Sequence, residues 1–191
     1  MKVLIKIHYL LLFCIAFLSD PLWAQKTFVV KEIASFEINS AISPASYKYL
    51  ERLKTLSPET AILIKLNTPG GLVSTTKDIL TLLGAQPRPL IIWVTPEGGS
   101  ATSAGAILSS AAHFLFMNEG TNIGAATPIG LGSDIKENDQ RSKAINDLVA
   151  VVKSLSESRG RPQAPFIEMI EKASSFTAGE ALKLKFIDGV I

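Results

Sequence analysis

Twice in this chain a short apolar run breaks into a glycine turn and then a helical pattern, and that repeat limits the fold more than any other feature. Ala61 to Leu66 (AILIKL) ends in Asn67-Thr68-Pro69-Gly70-Gly71, and a helical stretch from about Ser74 to Gly84 follows, with Ile79, Leu80, Leu82 and Leu83 as its apolar face. Pro87 and Pro89 end that helix. Leu90 to Val94 is the next apolar run; its turn contains Gly98-Gly99 and leads to a helix that starts near Ser103 and runs to about Ala112. Phe114 to Met117 then resumes strand character. Short apolar runs alternating with helices predict an α/β fold with a mainly parallel sheet. In such folds reacting groups gather beyond the C-terminal ends of the strands, where both glycine turns fall.

The flanking segments fit one domain of 191 residues with no linker. Thr27 to Val30 and Phe36 to Ile38 read as opening strands, and Ser43-Pro44 starts a helix that continues to about Thr55. Gly120 to Asn138 reads as a loop. Ser142 is placed to cap a helix reaching about Arg159, with Ile145, Leu148, Val149, Val152 and Leu155 on one face. A helix over Ala164 to Ala173, a capping box at Thr177-Ala178-Gly179-Glu180 and a closing strand over Phe186 to Val190 complete the pattern. At the N-terminus, Lys2 and Lys6 precede the apolar run Ile7 to Leu18, so residues 1–24 read as a secretory signal peptide or, if uncleaved, an N-terminal anchor. The single cysteine, Cys14, falls in this segment, which leaves residues 26–191 without disulfide, cysteine-nucleophile or thiolate-metal chemistry. A net charge of +2 with no basic stripe argues against nucleic acid.

Ser103 sits where a helix begins, beside free N–H groups, which suits acyl transfer; the plainer alternative is a helix cap. A serine nucleophile needs a base. Of the two histidines, His8 lies in the N-terminal segment and His113 at a helix-to-strand junction reads as structural, so a Ser-Lys dyad is the economical arrangement. Lys143, in the first turn of the Ser142 helix with Arg141 beside it, is placed for a lowered pKa, and Lys136 in the preceding loop is its competitor. An oxyanion hole requires backbone donors: the Gly71 amide in the Pro69-Gly70-Gly71 turn and the Ala104 amide after the nucleophile. Gly70, Gly98 and Gly99 shape the turns around the cleft. No His/Asp/Glu cluster has metal-ligand spacing, the Gly98-Gly99-Ser100 run lacks the lysine of a phosphate loop, and no cofactor is expected.

Four segments in order carry a resemblance: Leu66 to Gly71, Ser100 to Ala106 (SATSAGA), Met117 to Pro128 (MNEGTNIGAATP), and Lys143 to Asp147. Together they resemble the NfeD family, and within it the ClpP-like serine protease domain of the long, stomatin-associated membrane proteases, over nearly all of residues 26–191. The resemblance implies a ClpP/crotonase-like spiral of strand-turn-helix units and an endopeptidase with Ser103 as nucleophile, Lys143 as general base, and Gly71 and Ala104 at the oxyanion positions. It also implies cleavage of hydrophobic segments, stomatin-like proteins as substrates and partners, and a homodimer or higher assembly. Export to the periplasmic or extracytoplasmic side, with attachment through residues 1–24, is the expected location. Asn67 stands where the family more often has aspartate, a change to which the turn's backbone is expected to be indifferent, and Ser40 replaces a usual glycine. The family's protease domain is usually followed by membrane helices and a small β-barrel, whereas this chain stops at Ile191. The rival from another class is a non-catalytic module that holds a hydrophobic peptide in the same cleft; an acyl-CoA enzyme of the related crotonase class fits less well, since it needs no serine there.

Overall fold

The computed structural model describes residues 28–128 and 135–191, so the N-terminal signal or anchor segment lies outside the described residues. In chain order the first elements are β1 (Glu32–Ile38), α1 (Pro44–Leu50) with a 3-10 turn (Glu51–Thr55), β2 (Thr60–Leu66), α2 (Val73–Gly84), β3 (Leu90–Val94), β4 (Ser100–Thr102) and α3 (Ala104–Ser109). They continue with β5 (Phe114–Met117), β6 (Asn122–Gly124), α4 (Ile135–Ser158), α5 (Ala164–Glu171), β7 (Ser175–Thr177), α6 (Ala178–Lys183) and β8 (Gly189–Val190).

Five strands make one wholly parallel sheet in the order β1-β2-β3-β5-β8. Helices α1, α2 and α3 fall between its successive strands, as parallel neighbours require. The register is level at the C-terminal end, with Ile38 opposite Leu66, Leu66 opposite Val94, and Val94 opposite Met117. Level ends bring the segments that follow these strands side by side. Ile62, Ile64, Leu66, Leu90, Ile92 and Val94 belong to the buried core with Leu50, Leu53, Ile79, Leu80 and Leu83 from the helical layer. This α/β architecture is the expected one.

A second, three-stranded sheet was not legible in the sequence. It has the order β4-β6-β7, parallel then antiparallel, and a bridge between Thr68 and Ala101 ties it to the end of β2. Its strands are three residues each, SAT, NIG and SFT, too short to show an alternation. Other boundaries differ. Phe28 to Val30 has no regular structure, and Phe28 instead packs edge-on against His113 and Phe114 at 5.2 and 6.1 Å. The supposed loop before Ser142 is shorter, because α4 already begins at Ile135, which places Lys136 in its first turn and Ser142 within it. Serine favours caps, but inside a helix that is already propagating it costs only a few tenths of a kcal/mol or so. Phe186 is core rather than strand, stacked edge-on against Phe166 and Phe176 at 5.5 Å each.

Candidate active site

Ser103 joins β4 to α3 with φ 53° and ψ −111°, a backbone conformation that favours glycine. Holding a serine there costs on the order of 1–3 kcal/mol, so the surroundings must impose it. They do so from two sides. Its N–H donates to the Gly124 carbonyl at 2.8 Å, while Thr102 N–H donates to Thr68 O at 3.0 Å and Thr68 N–H to Ser100 O at 2.8 Å. Its hydroxyl makes no capping bond to α3, so the helix-cap reading does not describe this serine.

Gly70 lies directly against it. A Cβ on Gly70 would stand 2.6 Å from Ser103 Cβ and 3.0 Å from Oγ, and Gly70 has φ +117°. The fully buried Thr68 accepts the Gly70 N–H on Oγ1 at 3.2 Å, and its methyl lies 2.6 Å from where a Gly105 Cβ would be. Glycine at 105 thus lets the first turn of α3 close onto the Thr68–Gly70 turn. Gly71 is held by the segment after β1: Ile42 N–H donates to Gly70 O at 2.7 Å and Leu72 N–H to Ile42 O at 3.1 Å. Both bonds run to residues flanking Gly71, so its own N–H points away from Ile42. Ala104 opens α3, where an N–H has no partner within the helix. Among the described residues neither of these two N–H groups meets a protein acceptor. They are free donors on the two segments that Gly70 and Ser103 hold in contact.

The second glycine turn divides in two. Gly98, φ +75°, faces open space, whereas a Gly99 Cβ would come within 3.2 Å of Asn67 Oδ1. Asn67 bears a load the sequence does not announce. Its Oδ1 accepts Ser100 N–H at 3.0 Å and its Nδ2 donates to Asn39 Oδ1 at 2.8 Å. The expectation of indifference at position 67 therefore holds for the backbone but not for the side chain. Asn39 and Asn67 are 28 residues apart, and no sequence period links them.

Lys143 differs from its expected setting. It is eight residues beyond Ile135 (143 − 135), in the third turn of α4 and exposed, so the field of a helix N-terminus does not reach it. The helix is fastened just beyond it, where Asp147 pairs with Lys77 of α2 and Leu148 and Val152 are fully buried. His113 lies at the opposite end of the sheet from Ser103. Its Nδ1 accepts the N–H of Leu90, the first residue of β3, at 3.0 Å, and the Arg159 guanidinium meets Nε2 at 2.9 Å. It is structural, as read. Among the described residues no three His, Cys, Asp or Glu side chains can hold a metal ion together, and no helix is long and apolar enough to cross a membrane.

Residues 26–191 match the family model for Clp protease. The chain is 33% identical over 178 residues, 91% of its length, to the membrane-bound protease PH1510 of Pyrococcus horikoshii. It is 28% identical over 118 residues to the putative protease slr0021 of a Synechocystis strain. It spans 39% and 42% of the lengths of these two relatives. Among solved structures it is similar to a serine-to-alanine mutant of the 1510-N membrane-bound stomatin-specific protease, with TM-score 0.71 and 31% identity over 87% of this chain and 81% of that one. A lysine-to-alanine mutant of the same protease in complex with a substrate peptide gives TM-score 0.71 and 32% identity over 87% of this chain and 77% of that one.

Proposed function

The chain belongs to the Clp protease family, and on that premise we propose that it is a serine endopeptidase acting through Ser103 with Lys143 as general base. The observation that carries the reading is the backbone of Ser103, held at φ 53° between Gly124 and Gly70 on a turn that offers its hydroxyl without capping the helix. Lys143 Nζ takes the proton as Ser103 Oγ attacks the scissile carbonyl, and the Gly71 and Ala104 N–H groups receive the developing oxyanion. The same proton passes to the departing amine, and water then hydrolyses the acyl-enzyme with lysine again as base.

The exposure of Lys143 sets a condition on this chemistry. The reading therefore requires that substrate or a second copy of the chain cover this exposed side chain and remove its hydration. A homodimer or larger assembly supplies such cover. Leu72 and Val73, exposed directly after Gly71, give the cleft an apolar rim suited to a hydrophobic segment. The solved protease to which the chain is similar is described as stomatin-specific, and a stomatin-like membrane protein is the proposed substrate here. Export, with attachment through residues 1–24, would place the site on the outer side of the membrane.

The test is labelling with an alkyl fluorophosphonate followed by peptide mapping. One adduct on Ser103, lost in Ser103→Ala and strongly slowed in Lys143→Ala, is expected. Label on Ser103 at the unaltered rate in folded Lys143→Ala counts against lysine as the base. A folded protein that takes no label but retains a hydrophobic peptide supports the second reading, a binding module, which the exposure of Lys143 favours.

A further inference from the structure

We propose that Asn39 and Asn67 form a positioning pair for acylation, setting how the strand that carries Ser103 lies against the turn that offers the Gly71 N–H. The inference rests on the serine-nucleophile reading above. Three chain segments meet at Asn67: its N–H donates to Ile38 O at 2.8 Å, its Nδ2 to Asn39 Oδ1 at 2.8 Å, and its Oδ1 accepts Ser100 N–H at 3.0 Å. The atom assignment is fixed by chemistry, since Ser100 N–H can only donate; the oxygen of Asn67 must face it, and the NH2 is left for Asn39.

Each contact leads to the site by a short path. Asn39 is three residues before Ile42, which brackets Gly71 through the bonds to Gly70 O and Leu72 N–H. Ser100 is three residues before Ser103 and opens β4. A Cβ on Gly99 would stand 2.8 Å from Pro96 O and 3.2 Å from Asn67 Oδ1, so glycine there leaves room for both. One side chain thus connects the support of the oxyanion turn to the support of the nucleophile, without touching a reacting atom. Misplacement of a reacting group by about 1 Å can cost about a hundredfold in rate, so a tether of this kind acts on the chemical step rather than on binding.

The pair needs one N–H between the two facing side chains. Asn39→Asp leaves the Asn67 amide as donor to a carboxylate. Asn67→Asp keeps an acceptor for Ser100, and Asn39 can turn its amide to donate. The double variant has two facing carboxylates and no donor until they share a proton.

Saturation kinetics of alkyl fluorophosphonate labelling test this, with the circular dichroism spectrum of each variant recorded alongside. Each single variant should label within about threefold of the unaltered protein. The double variant should lose about tenfold or more in the limiting rate, with the probe's half-saturation unchanged. As pH falls and one carboxylate takes up a proton, the ratio of double-variant to single-variant rates should recover toward one. Glu37, Lys65 and Glu97, the ionisable residues on the same three segments, are common to all variants, as is Lys143, so their titration cancels in the ratio. The circular dichroism spectrum identifies a misfolded double variant, so the loss and its recovery are read on folded protein. Labelling of the double variant as fast as the singles, or a loss that acid does not reverse, overturns the pairing while leaving Ser103 as nucleophile. Absence of label on the unaltered protein overturns both.

Discussion

Gly70→Ala places a methyl group against the proposed nucleophile and separates contact from backbone strain when set beside Gly98→Ala. At Gly70 the new Cβ would stand 2.6 Å from Ser103 Cβ and 3.0 Å from Oγ, at φ +117°. Strain at such a φ and overpacking each cost on the order of 1–3 kcal/mol, about 2–6 kcal/mol together. For a chain of this size the melting temperature should fall by roughly 5–20 °C. At Gly98 the φ is +75° but a Cβ would meet nothing within 4 Å, so only the left-handed backbone penalty of about 1–2 kcal/mol applies. Fluorophosphonate labelling at a temperature where both variants are folded is the assay. Gly70→Ala should label at least about a hundredfold more slowly, because Ser103 must shift or its side chain must turn; Gly98→Ala should stay within about threefold. Labelling of folded Gly70→Ala at the unaltered rate would show that Ser103 does not depend on this contact and would refute the account of the turn.

Arg161, whose side chain is only 5% exposed, donates to the carbonyls of Ala112, Phe186 and His113 and to Asp188 Oδ2. Arg161→Met should therefore cost about 3–5 kcal/mol, read as a lower urea midpoint at unchanged slope. Asp188→Asn keeps an oxygen for Leu115 N–H but leaves the buried guanidinium without its counter-charge, and should cost about 3 kcal/mol. Backbone and side-chain hydrogen bonds from Thr177 hold the Glu180 carboxyl below its ordinary pKa. A depressed folded-state pKa contributes stability that is present above the unfolded value and lost as pH falls through the folded one. Glu180→Gln should flatten the acid limb of a stability-against-pH curve in that carboxylate range, and an unchanged limb would remove the capping box as its source.

By itself the sequence determined the layering and offered candidates for the chemistry. AILIKL and LIIWV are too short and too apolar to be anything but buried strands between helices, and glycine turns at their ends mark where a parallel sheet gathers its reacting groups. Ser103, Gly71 and Ala104 are candidates on local pattern, because a helix start and a Pro-Gly-Gly turn are visible within a few residues. What the tertiary structure decided is long-range. Level strand ends put Gly70 under Ser103, Ile42 beside Gly71 and Asn39 against Asn67, pairings that span 28 to 33 residues and leave no period in the chain. The second sheet is invisible for a related reason: its three-residue strands gain their partners from β2 and from one another, not from their own alternation. Lys143 shows the same limit. Its motif proposed the residue as base, but its reading as a first-turn lysine failed because helical propensity carries α4 back to Ile135, and only the folded chain reveals that its side chain is exposed. Local chemistry is written in neighbours along the chain, whereas solvation and contact belong to neighbours in space.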